Sequence, residues 1–345
     1  MLNLCFLVQK TIVFMSLAWD RGETSNAKNA RPWHGDFKTT VEYLESNMMV
    51  SPQVQRALRS RTPVVAMEST VVAHGLPYPE NLKTALACER IVRVNGGVPA
   101  TVGVVRGVLK IGVSKSELRY LAQGKRVVKT GPGNIAAVMH RHQWGATSVS
   151  TTLFAAHRAG ITVLVTGGIG GIHLDASQTF DVSADLAALS HFRAIVVCSG
   201  IKAPLDVAAT RQYLETHGIP VIGYRTPCLP NFYTRKSPCA VDMDAASIAQ
   251  IAGFARTHWD LYPAGCIVVA VPIPRKYELP QRMVERAITE AYAALQRSDI
   301  AGRDVTPFLL TRISEETHGA SVCANIALLR NNALVSTRIA RALCT

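Results

Sequence analysis

Residues 163–206, VLVTGGIGGIHLDASQTFDVSADLAALSHFRAIVVCSGIKAPLD, constrain the fold more than any other stretch of the chain. Val163–Thr166 is a short apolar run rich in β-branched residues, which predicts a buried strand. Gly167, Gly168, Gly170 and Gly171 follow, a composition that permits positive φ and lets backbone N–H groups approach a ligand. A polar loop then brings Thr179, Asp181, Ser183 and Asp185 and runs into a short helix. Ile195–Cys198 is a second buried strand, with Lys202 just past its end. In open α/β sheets ligands sit beyond the carboxyl ends of the strands. One lysine, two carboxylates and a glycine loop converge on that place.

The rest of the chain alternates in the same way. Ser51 reads as a helix N-cap with Pro52 at the first helical position. Pro63–Met67 is an apolar strand that delivers Glu68 at its end, and a turn from His74 to Pro79 follows. A helix is predicted over 81–95. Strands Pro99–Val105 and Val108–Ile111 flank the hairpin dipeptide Arg106-Gly107. A strand over 126–129 ends on Lys129, ahead of Thr130-Gly-Pro-Gly-Asn134. Ser148, Ser150, Thr151 and Thr152 offer hydroxyls for a polar pocket or a helix cap. His140 and His142 have no third ligand nearby and read as surface or core-edge histidines. Further strands are predicted over 219–223 and 266–271, and further helices over 204–217, 245–258, 279–296, 306–318 and 321–343. This alternation predicts a layered α/β fold. With 48% hydrophobic residues the chain can bury a large core, and no linker divides it.

Residues 1–50 differ in character. Leu2–Trp19 is apolar but broken by Gln9 and Lys10, with neither a basic start nor a small-residue cleavage site, so it is a poor secretory signal. Arginine is sparse before Arg21, which argues against a mitochondrial presequence. The expectation is a weakly ordered extension ahead of a single catalytic domain over 51–345, in a cytoplasmic protein; a mitochondrial location follows only if residues 1–50 are a targeting segment. No apolar run of about 20 residues occurs further on, so no membrane span is expected. The net charge is +13, but Lys and Arg are scattered with no run longer than a pair. That pattern suits a basic solvated surface, not a nucleic-acid groove. Eight cysteines form no CxxC pair, which points to free thiols in a reducing compartment, with neither a disulfide framework nor a zinc site.

Three chemistries compete for the central stretch. The GGIGG run fails the dinucleotide fingerprint, because His173 stands where the third glycine belongs and a polar loop follows where a helix must pack. No Walker A motif is present. Covalent amine chemistry is the second reading. A lysine attacks a carbonyl only when unprotonated, so such a group must lose its proton well below 10.4, through apolar burial or a second cation. Lys202 leaves an apolar strand, and the fold could bring Lys129 near it. Asp181 or Asp185 could hold a hard cation such as Mg²⁺ or Mn²⁺ by oxygen ligation, directly or through water. The third reading is a phosphosugar-binding protein without catalysis, which would use the same loop and lysines.

The chain resembles the pseudouridine-5′-phosphate glycosidase family, also called indigoidine synthase A-like proteins. The matching pieces include VVAMESTVVAHGLPYPEN (64–81), GATSVSTTLFAAHRAGI (145–161), TGGIGGIH (166–173), TFDVSADL (179–186) and SGIKAPLD (199–206). They continue through YLETHGIPVIGY (213–224), PNFYTRKS (230–237), PIP (272–274), TPFLL (306–310) and ANIALLRNNA (324–333), in the family's order. The resemblance implies a three-layer α/β/α sandwich around a central mostly parallel or mixed sheet, a homotrimer, and a divalent metal, usually Mn²⁺. It implies a pseudouridylate synthase, a lyase-type glycosidase of pseudouridine catabolism. Such an enzyme reversibly cleaves the C–C bond between uracil C5 and ribose C1′ to give uracil and ribose 5-phosphate.

By residue, the resemblance makes Lys202 the Schiff-base nucleophile on the ring-opened sugar, Glu68 the proton donor and Asp181 the metal holder, mainly through water. Lys129 would bind the sugar phosphate. Val149 and Ser183-Ala184-Asp185 would touch substrate, with Thr166 and Asn325 as further pocket residues. A C–C glycosidic bond has no leaving oxygen to protonate, so two carboxylates do not suffice. A lysine iminium at C1′ is an electron sink, and protonation of uracil C5 then lets the bond break. The runner-up enzyme would use the same lysine on another phosphorylated C-linked sugar. Three positions depart from the family: Thr130–Asn134 replaces a basic stretch, Leu174 a frequent arginine, and Val271 a frequent asparagine. No sugar-kinase segment occurs in the chain, so a separate kinase would supply substrate.

Overall fold

Strands that are apolar on both faces must be covered on both faces. The computed structural model describes residues 47–344 and builds them in this way. The strands are β1 (Met48–Val50), β2 (Val64–Met67), β3 (Val98–Val105), β4 (Val108–Ile111), β5 (Val127–Thr130), β6 (Trp144–Thr147) and β7 (Val163–Val165). They continue with β8 (Ile172–His173), β9 (Ile195–Cys198), β10 (Leu205–Asp206), β11 (Val221–Tyr224), β12 (Met243–Ala245) and β13 (Ile267–Ala270). Seven lie side by side and parallel in the order β3-β2-β7-β9-β13-β11-β12. β4 and β6 pair antiparallel with β3, and β5 runs parallel to β6. The central sheet is therefore mixed with a parallel core, as expected.

Side chains alternate between two cores, as the pleat requires. Val65, Met67, Val163, Val165 and Val197 face one layer, where they meet the helices Glu80–Val94, Ile248–Leu261, Gln281–Leu295, Val305–Glu316 and Ala320–Cys344. Val64, Ala66, Leu164, Val196 and Cys198 face the other, against the helices Pro52–Arg59, Val149–Ala159, Ala184–His191 and Val207–Thr216. The result is the three-layer α/β/α arrangement. In the long helix Ala320–Cys344, the buried Ala324, Leu328, Asn332, Val335 and Ile339 recur at three- and four-residue spacing, so one stripe lies on the sheet.

Several expectations change. Met48–Val50, expected in the weakly ordered extension, pairs with β4 because its three residues extend that edge in parallel register. Residues 1–46 of that extension lie outside the described residues. β12 occupies the start of the helix predicted over 245–258, and that helix runs Ile248–Leu261 with a Ser247–Gln250 capping box. β10 takes the start of the helix predicted over 204–217 and pairs with β8. The four glycines of the central loop do not have positive φ. They are small because neighbours crowd them: an added Cβ would lie 2.7 Å from Phe232 at Gly168 and 2.1 Å from Ser183 Oγ at Gly170. The left-handed glycine is Gly200, at φ +86°. The seven described cysteines are free thiols, and no helix among the described residues is long and apolar enough to cross a membrane.

A Cβ on Gly200 would sit 2.0 Å from the Pro230 carbonyl oxygen, in a backbone region that L residues avoid. Gly218 has φ +64° but open space around it. In urea unfolding, Gly218→Ala is expected to cost roughly 1–2 kcal/mol and Gly200→Ala more than about 3 kcal/mol. Equal losses would contradict the packing account.

Candidate active site

Three parallel neighbours end together. Met67 of β2 pairs with Val165 of β7, which pairs with Val197 of β9. Glu68 and Thr166 therefore leave the sheet side by side, and the Thr166 hydroxyl donates to Glu68 Oε1. Asn332, fully buried on the long helix, holds this edge: its Nδ2 donates to the Thr166 carbonyl at 2.9 Å, and its Oδ1 accepts from Ser199 Oγ at 3.2 Å.

Lys202 is placed by two interlocked loops. The Ile169 amide donates to the Gly200 carbonyl at 3.1 Å, and the Lys202 amide donates to the Ile169 carbonyl at 3.0 Å. Lys129 arrives from the far side through hydroxyls. The Thr147 amide donates to Ser69 Oγ at 2.9 Å, while Thr130 Oγ1 and Thr70 Oγ1 both donate to the Ala146 carbonyl. These bonds join the end of β2 to the ends of β5 and β6. Lys129 and Lys202, distant in sequence, consequently share one site, as anticipated.

Two cavities meet at the lysines. The outer cleft, about 410 Å³, is lined by Ser150, His173, Asp181, Ser183, Ala184 and Asp185 among others. The inner chamber, about 40 Å³, is lined by Glu68, His74, Thr166, Phe232 and Asn325. Thr70, Lys129, Lys202 and Thr306 border both.

Electrostatics follow from burial. Glu68 is 4% exposed, and desolvation pushes its carboxyl above the usual carboxylate range, with the Lys202 ammonium and the Thr166 bond opposing. Glu68 is thus suited to carry a proton. Burial and, next, the Lys202 charge pull the Lys129 ammonium down to about 8. Lys129 Nζ also donates to the Arg303 carbonyl at 2.8 Å.

The remaining candidates divide. Thr166 and Asn325 face the inner chamber, and Ser183, Ala184 and Asp185 the outer cleft. Asp185 acts as a brace: Oδ1 accepts from the Ser150 amide and Oδ2 from the Gly170 amide, each at 2.9 Å. Val149 is fully buried in the core, so only its main chain can serve the cleft between Ser148 and Ser150. Leu174 is exposed and Val271 buried, and neither lines the cavities, whereas Gly131, Gly133 and Asn134 do. His140 and His142 are exposed. Sequence reasoning missed His74, Phe232, Arg303 and Thr306 as lining residues. His74 lies in the turn six residues after Glu68 and was within reach of a local reading, whereas only tertiary folding brings Phe232, Arg303 and Thr306 to the strand ends.

A divalent metal was expected at Asp181. This carboxylate is about a third exposed to the outer cleft, and its Oδ2 lies 3.7 Å from His173 Nε2. With both Asp185 oxygens occupied by amides, the cleft offers one free carboxylate with an imidazole beside it. Among the described residues no group of three or more His, Cys, Asp or Glu gathers to form a cage. That donor set fits a largely hydrated ion held at one carboxylate.

Fold and site together define an α/β enzyme with a lysine-centred pocket at the carboxyl ends of parallel strands. A family model described as indigoidine synthase A like protein matches residues 53–342. The chain belongs to that family. It is 46% identical over 292 residues to a pseudouridine-5′-phosphate glycosidase of Hahella chejuensis, covering 84% of this chain and 96% of that protein. It is 42% identical over 307 residues to the Escherichia coli K12 protein of the same name, covering 89% and 97%. Among solved structures it is similar to the prealnumycin C-glycosynthase AlnA in complex with ribulose 5-phosphate, with TM-score 0.79 and 34% identity over 86% of this chain and 97% of that one. An indigoidine synthase A-like protein of Thermotoga maritima gives the same values.

A carboxyl whose folded-state pKa is raised contributes stability that is complete below the usual 4.5 and is lost as pH rises through the folded value. Glu68→Gln should therefore melt at a higher temperature than the wild type at pH 8, with the difference closing by pH 4. A gap of the opposite sign at pH 8 would show that Glu68 is buried as a carboxylate stabilised by its neighbours.

Proposed function

We propose that the protein is a pseudouridine-5′-phosphate glycosidase that joins and separates uracil and ribose 5-phosphate through an imine on Lys202. The observation that carries this reading is the meeting of Glu68, Lys129 and Lys202 where the two cavities join. The outer cleft suits a hydroxylated phosphosugar, and the inner chamber suits a flat base.

In the cleavage direction the uncharged Lys202 nitrogen attacks C1′ and the C1′–O4′ bond breaks; the proton the nitrogen sheds ends on O4′, giving an open-chain amine with a 4′-hydroxyl that still carries uracil. Glu68 passes its proton to C5 of the base. The nitrogen lone pair then forms the C1′=N bond as the C1′–C5 bond breaks, and the bond pair returns to the uracil ring. Water hydrolyses the imine to ribose 5-phosphate and frees Lys202. Synthesis runs the same steps backwards. Glu68 delivers the proton because burial keeps it on the carboxyl, and Thr166 orients that group. Lys129 anchors the phosphate while it stays protonated. Asp181, with His173 beside it, would hold a hydrated Mn²⁺; when bound, the ion would supply positive charge to the sugar's oxygen groups. A homotrimer and a cytoplasmic location complete the proposal, and a solution mass three times the 37.3 kDa chain checks the trimer.

A second reading keeps the lysine and changes the base. It draws on the likeness to a C-glycosynthase. Borohydride reduction with ribose 5-phosphate, read by peptide mass spectrometry, should place a sugar-phosphate adduct on Lys202. Lys202→Ala should lose both the adduct and uracil release from pseudouridine 5′-phosphate while keeping its fold. An adduct on another lysine would refute the assignment, and an adduct without uracil release would select another base. Lys129 sheds its proton near pH 8, so ribose 5-phosphate affinity should fall as pH rises above about 8. Lys129→Met should abolish that fall in a calorimetric titration.

A further inference from the structure

The inner chamber is bordered by two buried acceptors that have no protein partner, His74 Nε2 and Asn325 Oδ1. A buried polar atom left unpaired costs roughly 1–3 kcal/mol. Two on the wall of one small chamber mark a ligand that donates twice. His74 lies in the wide helical turn Val71–Gly75, directly after the strand that delivers Glu68. Its Nε2 is buried with no protein partner, so in the neutral ring that carries its proton on Nδ1 it stands as a bare acceptor. Burial and the nearby Lys129 charge hold the imidazole below its usual range, so the ring is neutral.

Uracil joined to ribose through C5 keeps both ring donors, N1–H and N3–H. Joined through N1, it keeps only N3–H. Resting on the glycosidase reading above, we infer that His74 is a specificity-determining residue: its Nε2 and Asn325 Oδ1 each accept one ring N–H, and the site recognises a C-linked uracil by its two donors. An N-linked nucleotide leaves one of these acceptors buried and bare, and a site built to hydrogen-bond a group rejects the analogue that lacks it. His74 thereby selects the base, while Lys129 and Lys202 handle the sugar phosphate.

The test compares pseudouridine 5′-phosphate with its 1-methyl and 3-methyl derivatives, reading kcat/KM for release of the base. In the wild type each methyl group should cost roughly 10- to 100-fold. His74→Ala should lose a similar factor on the parent compound. It should stop discriminating against one methyl derivative and still reject the other. His74→Gln, whose Oε1 can accept, should recover part of both properties. Borohydride trapping of ribose 5-phosphate on Lys202 should proceed normally in His74→Ala, which separates a base-reading role from damage to the fold. A His74→Ala enzyme that still rejects both derivatives would overturn the inference, as would one that loses trapping in parallel with base release. If the wild type releases no uracil at all, the glycosidase reading fails and this inference falls with it. Trapping and turnover without methyl discrimination leave that reading standing and remove His74 alone.

Discussion

Apolar strands end here on charges, and that junction governs the site. Glu68, Lys129 and Lys202 are brought to one place where the sheet has already excluded most water. In such surroundings a carboxyl is easier to keep protonated, and a second ammonium works against the first. The Glu68 carboxyl is pushed up and the Lys129 ammonium pulled down. Glu68 is thereby kept as a proton donor, and Lys129 becomes a phosphate anchor whose charge depends on pH. The sheet supplies these properties through its burial, with no special residue needed beyond position.

Holding charges in that arrangement takes a rigid frame, and hydrogen bonds around the site supply it. Asn332 crosses from the long helix to fasten the ends of β7 and β9. Asp185 uses both oxygens to tie the glycine loop to the start of the helix Val149–Ala159. Ser69, Thr70, Thr130 and Thr147 fasten β2 to β5 and β6. These are short polar side chains satisfied by backbone groups, so they add little rotamer freedom to be lost. The glycines belong to the same frame. Gly168 and Gly170 let Phe232 and Ser183 pack against the loop, and Gly200 lets the loop that carries Lys202 pass beneath Pro230.

Much of the layering was legible in the residues. Val-rich runs bounded by glycine and proline marked the parallel strands, and capping serines such as Ser51 marked helix starts. Glu68, Lys202 and the Asp181–Asp185 loop stood at strand ends and drew notice for that reason. Short edge strands were less legible: β1, β10 and β12 are two or three residues long, too short for a period-2 signal and dependent on a partner. The central glycines were misread, because a sequence shows where Cβ is missing and not which neighbour needs the room. Asp185 lines the outer cleft, and what no local pattern shows is that both its oxygens also accept from backbone amides.

The sequence by itself determined the alternating α/β order, the apolar faces, and the presence of a lysine and carboxylates at strand ends, because periodicity and turn chemistry are local. Only the tertiary structure decided which of these groups meet. Lys129 reaches Lys202 because β5 is tied through β6 to the end of β2. His74 and Asn325, from a turn near the start and a helix near the end of the described chain, border one chamber because that helix packs across the sheet. Such meetings are contacts between residues far apart along the chain, and no window of sequence contains them.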